Sequence, residues 1–410
     1  MATQKLMQGV RVLEVASWTF VPAAGAVLAD WGADVVKVEH PVAGDPQRGL
    51  ITSGLMPGSV PGAVNFMVEQ PNRGKRSVGL NIASPDGLEL LYRLVETADV
   101  FLTNFLPQTL ARLKIDVSDV RARNPKIIYV RGSGQGVRGP HAHKGGYDGA
   151  SYWARGGIAD ALTPADRDWP LNQGSPGFGD LNGGMTIAGA ISAALFARER
   201  TGEAPVVDVS LLAMAMWTMS PLVVASKLFG LNRIPSGPRT QNPNPLVNMY
   251  RTKDDRFLTL MMLESDRWWP DLCQHLDRPD LGDDPRFVDA AARFEHREEC
   301  ITTLDEIFGQ RTLDEWKDKL ETAGGVWAPV QSVRELHDDP QAVANGYLQE
   351  VTADDGTTSF TLVANPVQFN ELPPDLRRAP EHGEHTEDLL LELGVGWEDI
   401  ARFKELGAIL

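Results

Sequence analysis

The fold is decided by the stretch VRVLEVASWTFVPAAGAVLADWGADVVKVEH, residues 10–40. Residues 10–15 are a short apolar run with β-branched side chains, residues 22–32 have helical composition and end in glycine, and residues 33–40 return to strand character. A strand, a helix and a second strand within about thirty residues are typical of the βαβ unit of a parallel sheet. We therefore predict that a parallel α/β sheet begins at residue 10.

The same alternation continues further along the chain. The pattern predicts a helix over 84–98, a strand over 99–105, a helix over 107–115 and a strand over 126–134. These elements indicate a doubly wound, Rossmann-like domain, in which ligands bind beyond the carboxyl ends of the strands. The loops at those ends are ASWTFVPA (16–23), TNFLP (103–107) and RGSGQG (131–136).

A change of composition near residue 230 predicts a second domain. Residues 230–248 are rich in Pro, Asn and Gly, and a hairpin turning at Asp254-Asp255 and several helical patterns follow. We predict a large α/β domain over 1–225, completed by the C-terminal segment 345–410, and a linker with a smaller α+β domain over 226–344. In the tail, two short helices separated at Gly394 are expected to pack back on the large domain.

Composition excludes several classes of protein. The 410 residues carry a net charge of −16, which argues against a broad basic surface for nucleic acid. The two cysteines, Cys273 and Cys300, form no ligand pattern, so we expect a reducing compartment and no metal site. The apolar segment 209–230 is interrupted by Pro221 and hydroxyl side chains, which favours a buried helix or helix pair over a membrane span. We expect a soluble cytoplasmic protein without a membrane partner.

Two features suggest an anionic ligand without defining it. Glu39 ends the second strand as in dinucleotide-binding folds, but the first turn lacks the GxGxxG pattern, so NAD or FAD is poorly supported. Basic residues gather in NRGKRS (72–77) and around Arg112 and Lys114. Such clusters bind a polyphosphate or are simply solvated charged loops, and spacing alone favours the second interpretation.

Asp180 is a lone carboxylate among five glycines in GSPGFGDLNGGM, residues 174–185. Small residues recur every four positions after it, which predicts a tightly packed helix with Asp180 at or just before its N-terminus. There the helix dipole favours the ionised carboxylate by about 0.3–1 kcal/mol. Capping the helix is the commoner fate of such an Asp. A nucleophile needs the same ionised state and an accessible site, which the glycines provide.

Other reaction centres find little support in the sequence. It contains no G-x-S-x-G elbow, HExxH, P-loop or EF-hand loop. His141 and His143 lack the carboxylate company that a metal site requires.

Motifs along most of the chain resemble the family III CoA-transferases, whose superfamily also contains α-methylacyl-CoA racemases. The motifs are the opening stretch quoted above with its continuation PVAGDPQRG, then NRGKRSVGLNI, ADVFLTNFLPQTLARL, NPKIIYVRGSGQG, GGYDGASYWARGG, GDLNGGMTIAGAISAALFARERTGEAPVVDVSLL, DPRF, DEWKDKL, WAPVQSVREL and DDPQAVANG. It is their combination and order that carry the resemblance.

The resemblance implies an acyl-CoA:carboxylate CoA-transferase in which Asp180 is the nucleophile. The expected route passes through an aspartyl anhydride and an aspartyl-CoA thioester, with backbone N–H groups of glycine loops stabilising the oxyanions. Coenzyme A is then substrate and product, and no tightly bound cofactor is implied. The implied CoA contacts are Ser17, Trp18, Thr19, His40, Lys75, Arg76, Asn104, Phe105, Arg112 and Tyr147. The family fold implies an interlocked homodimer whose site is shared between the large domain of one chain and the small domain of the other.

Departures from related branches narrow this expectation. Tyr147 stands where the racemases carry a His, and a phenol is poorly suited to return a proton at neutral pH. Thr19 replaces the Gln of formyl-CoA transferases, and RTQNPNPLV (239–247) replaces their glycine-rich flap, so a small oxalate-like acceptor is not supported. Trp18, Phe20 and Trp153 either line an apolar acyl pocket or belong to the core. A 2-methylacyl-CoA racemase or epimerase, or a non-catalytic acyl-CoA-binding protein, remains an alternative.

Overall fold

The predicted strand–helix–strand start is present in the computed structural model, which describes residues 5–52, 64–164, 167–231, 238–353 and 356–410. Six strands form the main sheet: β1 Arg11–Val15, β2 Asp34–Glu39, β3 Arg76–Gly79, β4 Val100–Thr103, β5 Ile128–Ser133 and β6 Val206–Ser210. Their order is β3-β2-β1-β4-β5-β6, and every neighbouring pair is parallel. The predicted parallel α/β sheet is confirmed.

Helices cover both faces of this sheet. They are α1 Phe20–Asp30, α2 Gln47–Thr52, α3 Phe66–Asn72, α4 Pro85–Glu96, α5 Pro107–Leu113, α6 Val117–Arg123, α7 Ile158–Leu162, α8 Phe178–Thr201, α9 Leu211–Thr218 and α10 Ser220–Phe229. A π-helical turn, Asp148–Ala154, precedes α7.

Alternating strand residues build two separate cores. Leu13 and Val15 of β1 pack on one face with α4, α5 and α6, while Val12 packs on the other with α1, α8 and α9. Because successive side chains of a strand point to opposite faces, a strand that is covered on both sides is largely apolar. The buried charged side chains of β1 and β2, Glu14 and Lys37, form an ion pair with each other.

The chain divides into two compact units, the first formed by 1–163, 169–233 and 341–410 and the second by 164–168 and 234–340. The second unit holds an antiparallel sheet of β7 Val247–Arg251, β8 Phe257–Met261 and β9 Trp327–Pro329. Its helices are α11 Ser265–His275, α12 Ala290–Glu295, α13 Arg297–Phe308 and α14 Leu313–Leu320. The predicted turn at Asp254-Asp255 joins β7 to β8, with Asp255 in the left-handed region at φ 58°.

The C-terminal segment returns to the first unit. It contains α15 Pro340–Ala344, the antiparallel pair β10 Leu348–Thr352 and β11 Ser359–Val363, and two final helices, α16 Thr386–Glu392 and α17 Trp397–Glu405. Gly394, at φ 75°, separates α16 from α17, as predicted. Leu390 of α16 and Phe403 of α17 complete the core on the α4 face of the sheet.

The apolar segment predicted as a buried helix or helix pair forms α9 and α10. Within the described residues no single helix is long and apolar enough to cross a membrane; α9 and α10 together reach that length, with a bend of 70° between them. Leu211, Met214 and Ala215 of α9 enter the core, whereas α10 has no buried residue. Burial was therefore predicted correctly only for the first helix, because the described part of the chain leaves every residue of α10 exposed or partly exposed.

Candidate active site

A cavity of about 600 Å³ opens at the carboxyl ends of the central strands in the first unit. The three loops that the sequence singled out all line it: Ser17, Trp18 and Phe20 after β1, Asn104 to Pro107 after β4, and Arg131 to Gly134 with Gly136 at the end of β5. Strand order reverses between β1 and β4, which is where open α/β sheets bind ligands.

Asp180 lines this cavity from the first turn of α8. The helix begins at Phe178, two residues before Asp180 and so earlier than predicted; its N-cap is Gly177, at φ 78°, which is a conformation that favours glycine. Asp180 is half-buried, and no described residue donates a hydrogen bond to its carboxylate. Burial, together with the charge of Asp148, raises the pKa of Asp180 to about 7. The helix dipole was expected to favour the ionised carboxylate of Asp180, but the loss of solvent around the carboxylate outweighs this effect.

The cap of α8 is provided by Asp148 instead. Its carboxylate is buried and accepts the Gly179 N–H at 3.0 and 3.1 Å. The side chain of Gln173 donates a further hydrogen bond to it. Asp148 therefore satisfies the helix end, and Asp180 faces the cavity without that task.

Close packing explains the glycine before Asp180. A Cβ atom on Gly179 would lie 2.4 Å from the Tyr152 ring and 2.6 Å from the Asp148 carboxylate. The first turn of α8 can therefore approach the π-helical turn only if residue 179 has no side chain. Further along the same helix, Gly183 and Gly184 meet Phe20 and Ala23 of α1 in the same way.

Five of the predicted CoA contacts lie around the cavity: Ser17, Trp18, Asn104, Phe105 and Tyr147. The rings of Trp18 and Tyr147 meet edge to face, with centroids 5.6 Å apart. Asn104 is engaged with the chain itself, because its side chain donates to the Ser17 carbonyl at 2.6 Å and accepts the Ser17 N–H at 3.1 Å.

Two more predicted contacts lie at an adjoining cavity of about 410 Å³, which shares Ser17 and Phe105 with the first. His40 lines it, and its Nδ1 accepts the N–H groups of Val42 and Ala43 at 3.2 Å each. Arg112, on α5, is exposed and has no ion-pair partner among the described residues. An exposed, unpaired guanidinium is free to bind a phosphate.

The remaining three predicted contacts are placed elsewhere. Thr19 is buried at the N-terminus of α1 and does not line the cavity. The Lys75 side chain is fully buried, and its Nζ donates to both carboxylate oxygens of Glu14 at 2.8 Å. Arg76 begins β3, at the amino edge of the sheet, where it binds Asp34 and Glu392. Lys75 is paired with a buried carboxylate, and Arg76 is paired with carboxylates at the opposite edge of the sheet. Neither position supports a role in binding CoA.

The sequence analysis missed two features of the site. Asp148 was assigned no role, because its link to α8 spans 31 residues. A basic cluster also lies near the loop before Tyr147: the charges of Lys144 on that loop, of Arg155 after the π-helical turn and of His143 lower the pKa of His141. The spacing HAHKGG could have indicated this second cluster of cations.

The sequence left open whether three aromatic residues line the cavity or belong to the core, and the structure places some in each. Trp18 and Phe20 line the cavity, whereas Trp153 packs against Phe178 and donates from its indole to the Leu171 carbonyl at 2.7 Å. In the described part of the chain, no group of three or more His, Cys, Asp and Glu side chains is arranged to hold a metal ion.

Comparison with known proteins places these features in context. The model of a family described as CoA-transferase family III matches residues 7–386. Over 402 residues the chain is 34% identical to the (R)-2-hydroxy-4-methylpentanoate CoA-transferase of Clostridioides difficile, with 98% of each chain covered. Over 402 residues it is 30% identical to the cinnamoyl-CoA:phenyllactate CoA-transferase of Clostridium sporogenes, covering 98% of this chain and 96% of that one.

A solved structure gives the same result for the fold. The chain is similar to a CAIB/BAIF family protein from Brucella suis, with a TM-score of 0.80 and 28% identity, covering 96% of this chain and 100% of that one.

Proposed function

The chain belongs to CoA-transferase family III, as the resemblance in its sequence indicated, and on that premise we propose that Asp180 carries CoA from an acyl-CoA donor to a carboxylic acid. One observation supports this role above the others: Asp180 faces a cavity of about 600 Å³ while Asp148 caps its helix. A carboxylate with no structural partner is available to attack an electrophile.

The first half-reaction forms a covalent intermediate. A carboxylate oxygen of Asp180 attacks the thioester carbonyl carbon, the C–S bond breaks, and CoA leaves as a thiolate. The product is a mixed anhydride of Asp180 and the acyl group. The thiolate then attacks the aspartyl carbonyl carbon, which releases the donor acid as a carboxylate and leaves an aspartyl-CoA thioester.

The second half-reaction reverses these steps with the acceptor acid. The acceptor carboxylate attacks the aspartyl thioester, a new anhydride forms, and CoA thiolate leaves. The thiolate attacks the acceptor acyl carbon, which gives the new acyl-CoA and restores the Asp180 carboxylate. No oxidant, reductant or net proton is needed, and a site that limits water protects the anhydrides from hydrolysis.

Backbone groups near Asp180 provide candidates for stabilising the oxyanions. Gly134, Gly136, Gly145 and Gly146 line the same cavity. Glycine lets the backbone approach a ligand closely, so N–H groups of these loops can point at the developing negative charge.

CoA is proposed to occupy both cavities of the first unit. Its thioester end lies near Asp180, between the loop of Ser17 and Trp18 and that of Asn104 and Phe105. Its phosphates lie toward His40 and Arg112 in the adjoining cavity, with the basic cluster around Lys144 as a second source of positive charge. Local cations of this kind attract a polyphosphate although the whole chain carries a net charge of −16.

The acyl group is proposed to be a branched or aryl monocarboxylic acid. The cavity wall includes the apolar rings of Trp18 and Phe20. Two similar enzymes are named for (R)-2-hydroxy-4-methylpentanoate and for cinnamoyl and phenyllactate groups, whose carbon skeletons are branched or aromatic.

A second copy of the chain is proposed to cover α9 and α10, as in an interlocked homodimer. Trp217 is 76% exposed in the single chain, and Leu228 and Phe229 are 70% and 67% exposed. Contiguous apolar side chains on a helix without buried residues indicate a protein interface.

A cytoplasmic location is also proposed, because Cys273 and Cys300 are both free thiols.

The test measures transfer of CoA by mass spectrometry of the CoA esters, with acyl-CoA donors screened against carboxylic acids. Asp180→Ala is expected to abolish transfer with every pair. Asp86→Ala is the matched control, because Asp86 occupies the first turn of α4 as Asp180 does in α8. Transfer that survives in Asp180→Ala would contradict the proposal.

Two other outcomes identify the alternatives. Exchange of the α-proton with heavy water, without any acceptor acid, would indicate a racemase or epimerase. Tight binding of acyl-CoA that persists in Asp180→Asn, with no turnover for any acid, would indicate a binding protein.

A further inference from the structure

Trp18 adopts a strained backbone conformation at the edge of the cavity. Its φ of 70° lies in the left-handed region, which a bulky L-residue rarely occupies. Such a conformation is strained and persists only where the surrounding structure enforces it. The ring it directs forms part of the cavity wall with Asp180 and Tyr147.

Two polar side chains hold the backbone at this point. Asn104 both donates to and accepts from the Ser17 backbone, at 2.6 and 3.1 Å. Asp45 accepts the Trp18 N–H at 3.1 Å through Oδ1, which also accepts the Gln47 N–H at 2.9 Å.

Asp45 belongs to a buried ionic network, which we define as Glu14, Lys37, Asp45 and Lys75. The Asp45 side chain is 2% exposed, and its Oδ2 lies 2.8 Å from Lys37 Nζ as an ion pair without the alignment of a hydrogen bond. Lys37 Nζ also lies 3.3 Å from Glu14, whose carboxylate binds Lys75 at 2.8 Å. Burial alone lowers the pKa of Lys37, but the Asp45 and Glu14 carboxylates raise it above its ordinary value.

The same network grips the loop at both ends. Lys37 donates to the Ala16 carbonyl at 3.1 Å, two residues before Trp18. Lys75 donates to the Pro22 carbonyl at 2.8 Å, in the first turn of α1. Hydrogen bonds from the two buried lysines therefore hold the loop from Ala16 to Pro22 in place. No side chain of the network lines the 600 Å³ cavity.

We propose that Asp45 is a positioning residue, which holds Trp18 in its left-handed conformation and thereby sets the size of the acyl group that the cavity accepts. This inference rests on the proposed function, since it assumes that the acyl group lies in this cavity. Asp45 lines the adjoining cavity and not the one that holds Asp180, so it acts on the acyl group through Trp18.

The test compares Asp45→Asn with Asp30→Asn. Asp30 is the matched control, because it is an equally buried carboxylate, 2% exposed and bound to Arg73 at 2.6 Å, at the far end of α1. The kcat/KM ratio for octanoyl-CoA against acetyl-CoA is measured with one acceptor acid. We expect Asp45→Asn to change this ratio at least tenfold and Asp30→Asn to leave it unchanged.

A readout independent of activity follows the ring itself. The chain has ten tryptophans, so 5-fluorotryptophan labelling is combined with Trp18→Phe to assign the Trp18 signal in the fluorine NMR spectrum. We expect this signal to shift or split in Asp45→Asn and to stay single in Asp30→Asn. An unmoved signal together with an unchanged ratio would overturn the inference. A wild-type protein that transfers CoA to no acid would contradict the proposed function, while the spectrum would still test Asp45.

A second pair of variants covers the case in which Asp45→Asn does not fold. Trp18→Gly and Trp18→Ala both remove the ring, but only glycine adopts a positive φ without strain. We expect both to alter the acyl-chain ratio and the Gly variant to melt at the higher temperature. Equal melting temperatures would show that the loop is not held in the left-handed conformation and would overturn the inference.

Discussion

Asp180 does not have to cap its helix, because a residue that is distant in the sequence does so. The local run of glycines leaves two roles open, helix cap and nucleophile, because both need an acid at the start of α8. Asp148 takes the first role by accepting the Gly179 N–H. The choice therefore depends on a contact across 31 residues, which no local pattern contains.

The raised pKa of Asp180 predicts that the residue destabilises the folded protein. A carboxyl group whose folded pKa of about 7 exceeds its unfolded value binds its proton more tightly in the folded state. Stability is then lost as the pH rises from the unfolded pKa to about 7. Asp180→Asn avoids this loss, so its advantage in urea unfolding is expected to grow by about 1–2 kcal/mol between pH 5.5 and 8.0. The same advantage at both pH values would contradict the assignment.

Lys75 shows where sequence reasoning about single residues fails. NRGKRS looks like a phosphate-binding cluster, and nothing in it reveals that Lys75 is neutralised by Glu14, 61 residues earlier. Burial lowers the pKa of Lys75 to about 7, even with Glu14 opposing the change. Arg112, by contrast, is an exposed cation next to a cavity, because its helix follows directly from β4, and its contact with CoA stays a prediction.

At the scale of elements, the first turn of α8 is the part of the fold that brings Asp180 to the cavity. The small residues recurring every four positions predicted a closely packed helix. The contact of Gly184 with α1 confirms this for one face, whereas Gly189, on the other face, has open space around it. The start of the helix was less predictable. Gly177 caps it through its conformation, while the hydrogen-bonding cap comes from another element.

A pair of glycines in α8 tests this packing. Gly179→Ala places a Cβ 2.4 Å from the Tyr152 ring, so we expect a loss of about 1–3 kcal/mol and a strong fall in transfer activity. Gly189→Ala has open space around its Cβ and is expected to stabilise the helix by about 0.5–1 kcal/mol with activity retained. Urea unfolding and the transfer assay measure both effects. Equal stability of the two variants would contradict the packing described for the first turn.

Asp148 is expected to act on Asp180 through charge as well as through the helix. Asp148→Asn keeps an oxygen for the Gly179 N–H but removes the negative charge that contributes to the high pKa of Asp180. Since burial is the larger cause of that pKa, we expect the acid limb of the pH–rate profile to move down by at most about one unit.

Asp289→Asn serves as the control for Asp148→Asn. Asp289 caps α12 by accepting the Ala292 N–H at 2.8 Å, in the second unit. Its substitution should leave the pH profile in place. An acid limb that does not move in Asp148→Asn would show that the two carboxylates do not interact.

At the scale of the whole molecule, the central strands of the sheet were predictable and the surroundings of the surface were not. The periodicity over residues 10–134 predicted β1, β2, β4 and β5 and the helices α1, α4 and α5. The outer strands β3 and β6 were included only in a basic cluster and in a motif, because edge strands are short and partly polar. Burial of the second apolar helix was predicted wrongly for the single chain, since α10 has no buried residue.

The proposed interlocked homodimer predicts an unusual resistance to subunit exchange. Two chains threaded through each other cannot separate without unfolding, and unfolding of stable proteins is slow. Mixing tagged and untagged dimers at 25 °C is expected to give no mixed dimer over a day, measured by native mass spectrometry. Mild urea followed by refolding should produce mixed dimers. Rapid exchange in buffer, or a species of 44.8 kDa only, would contradict interlocking.

Trapping the intermediate on the enzyme is the most direct test of the central claim, that Asp180 is acylated. The protein is incubated with an acyl-CoA donor, quenched with hydroxylamine and digested for peptide mass spectrometry. We predict a hydroxamate on Asp180, formed only when donor is present and absent in Asp180→Asn. A protein that transfers CoA at full rate with Asp180 never modified, or with the label on another residue, would contradict the account.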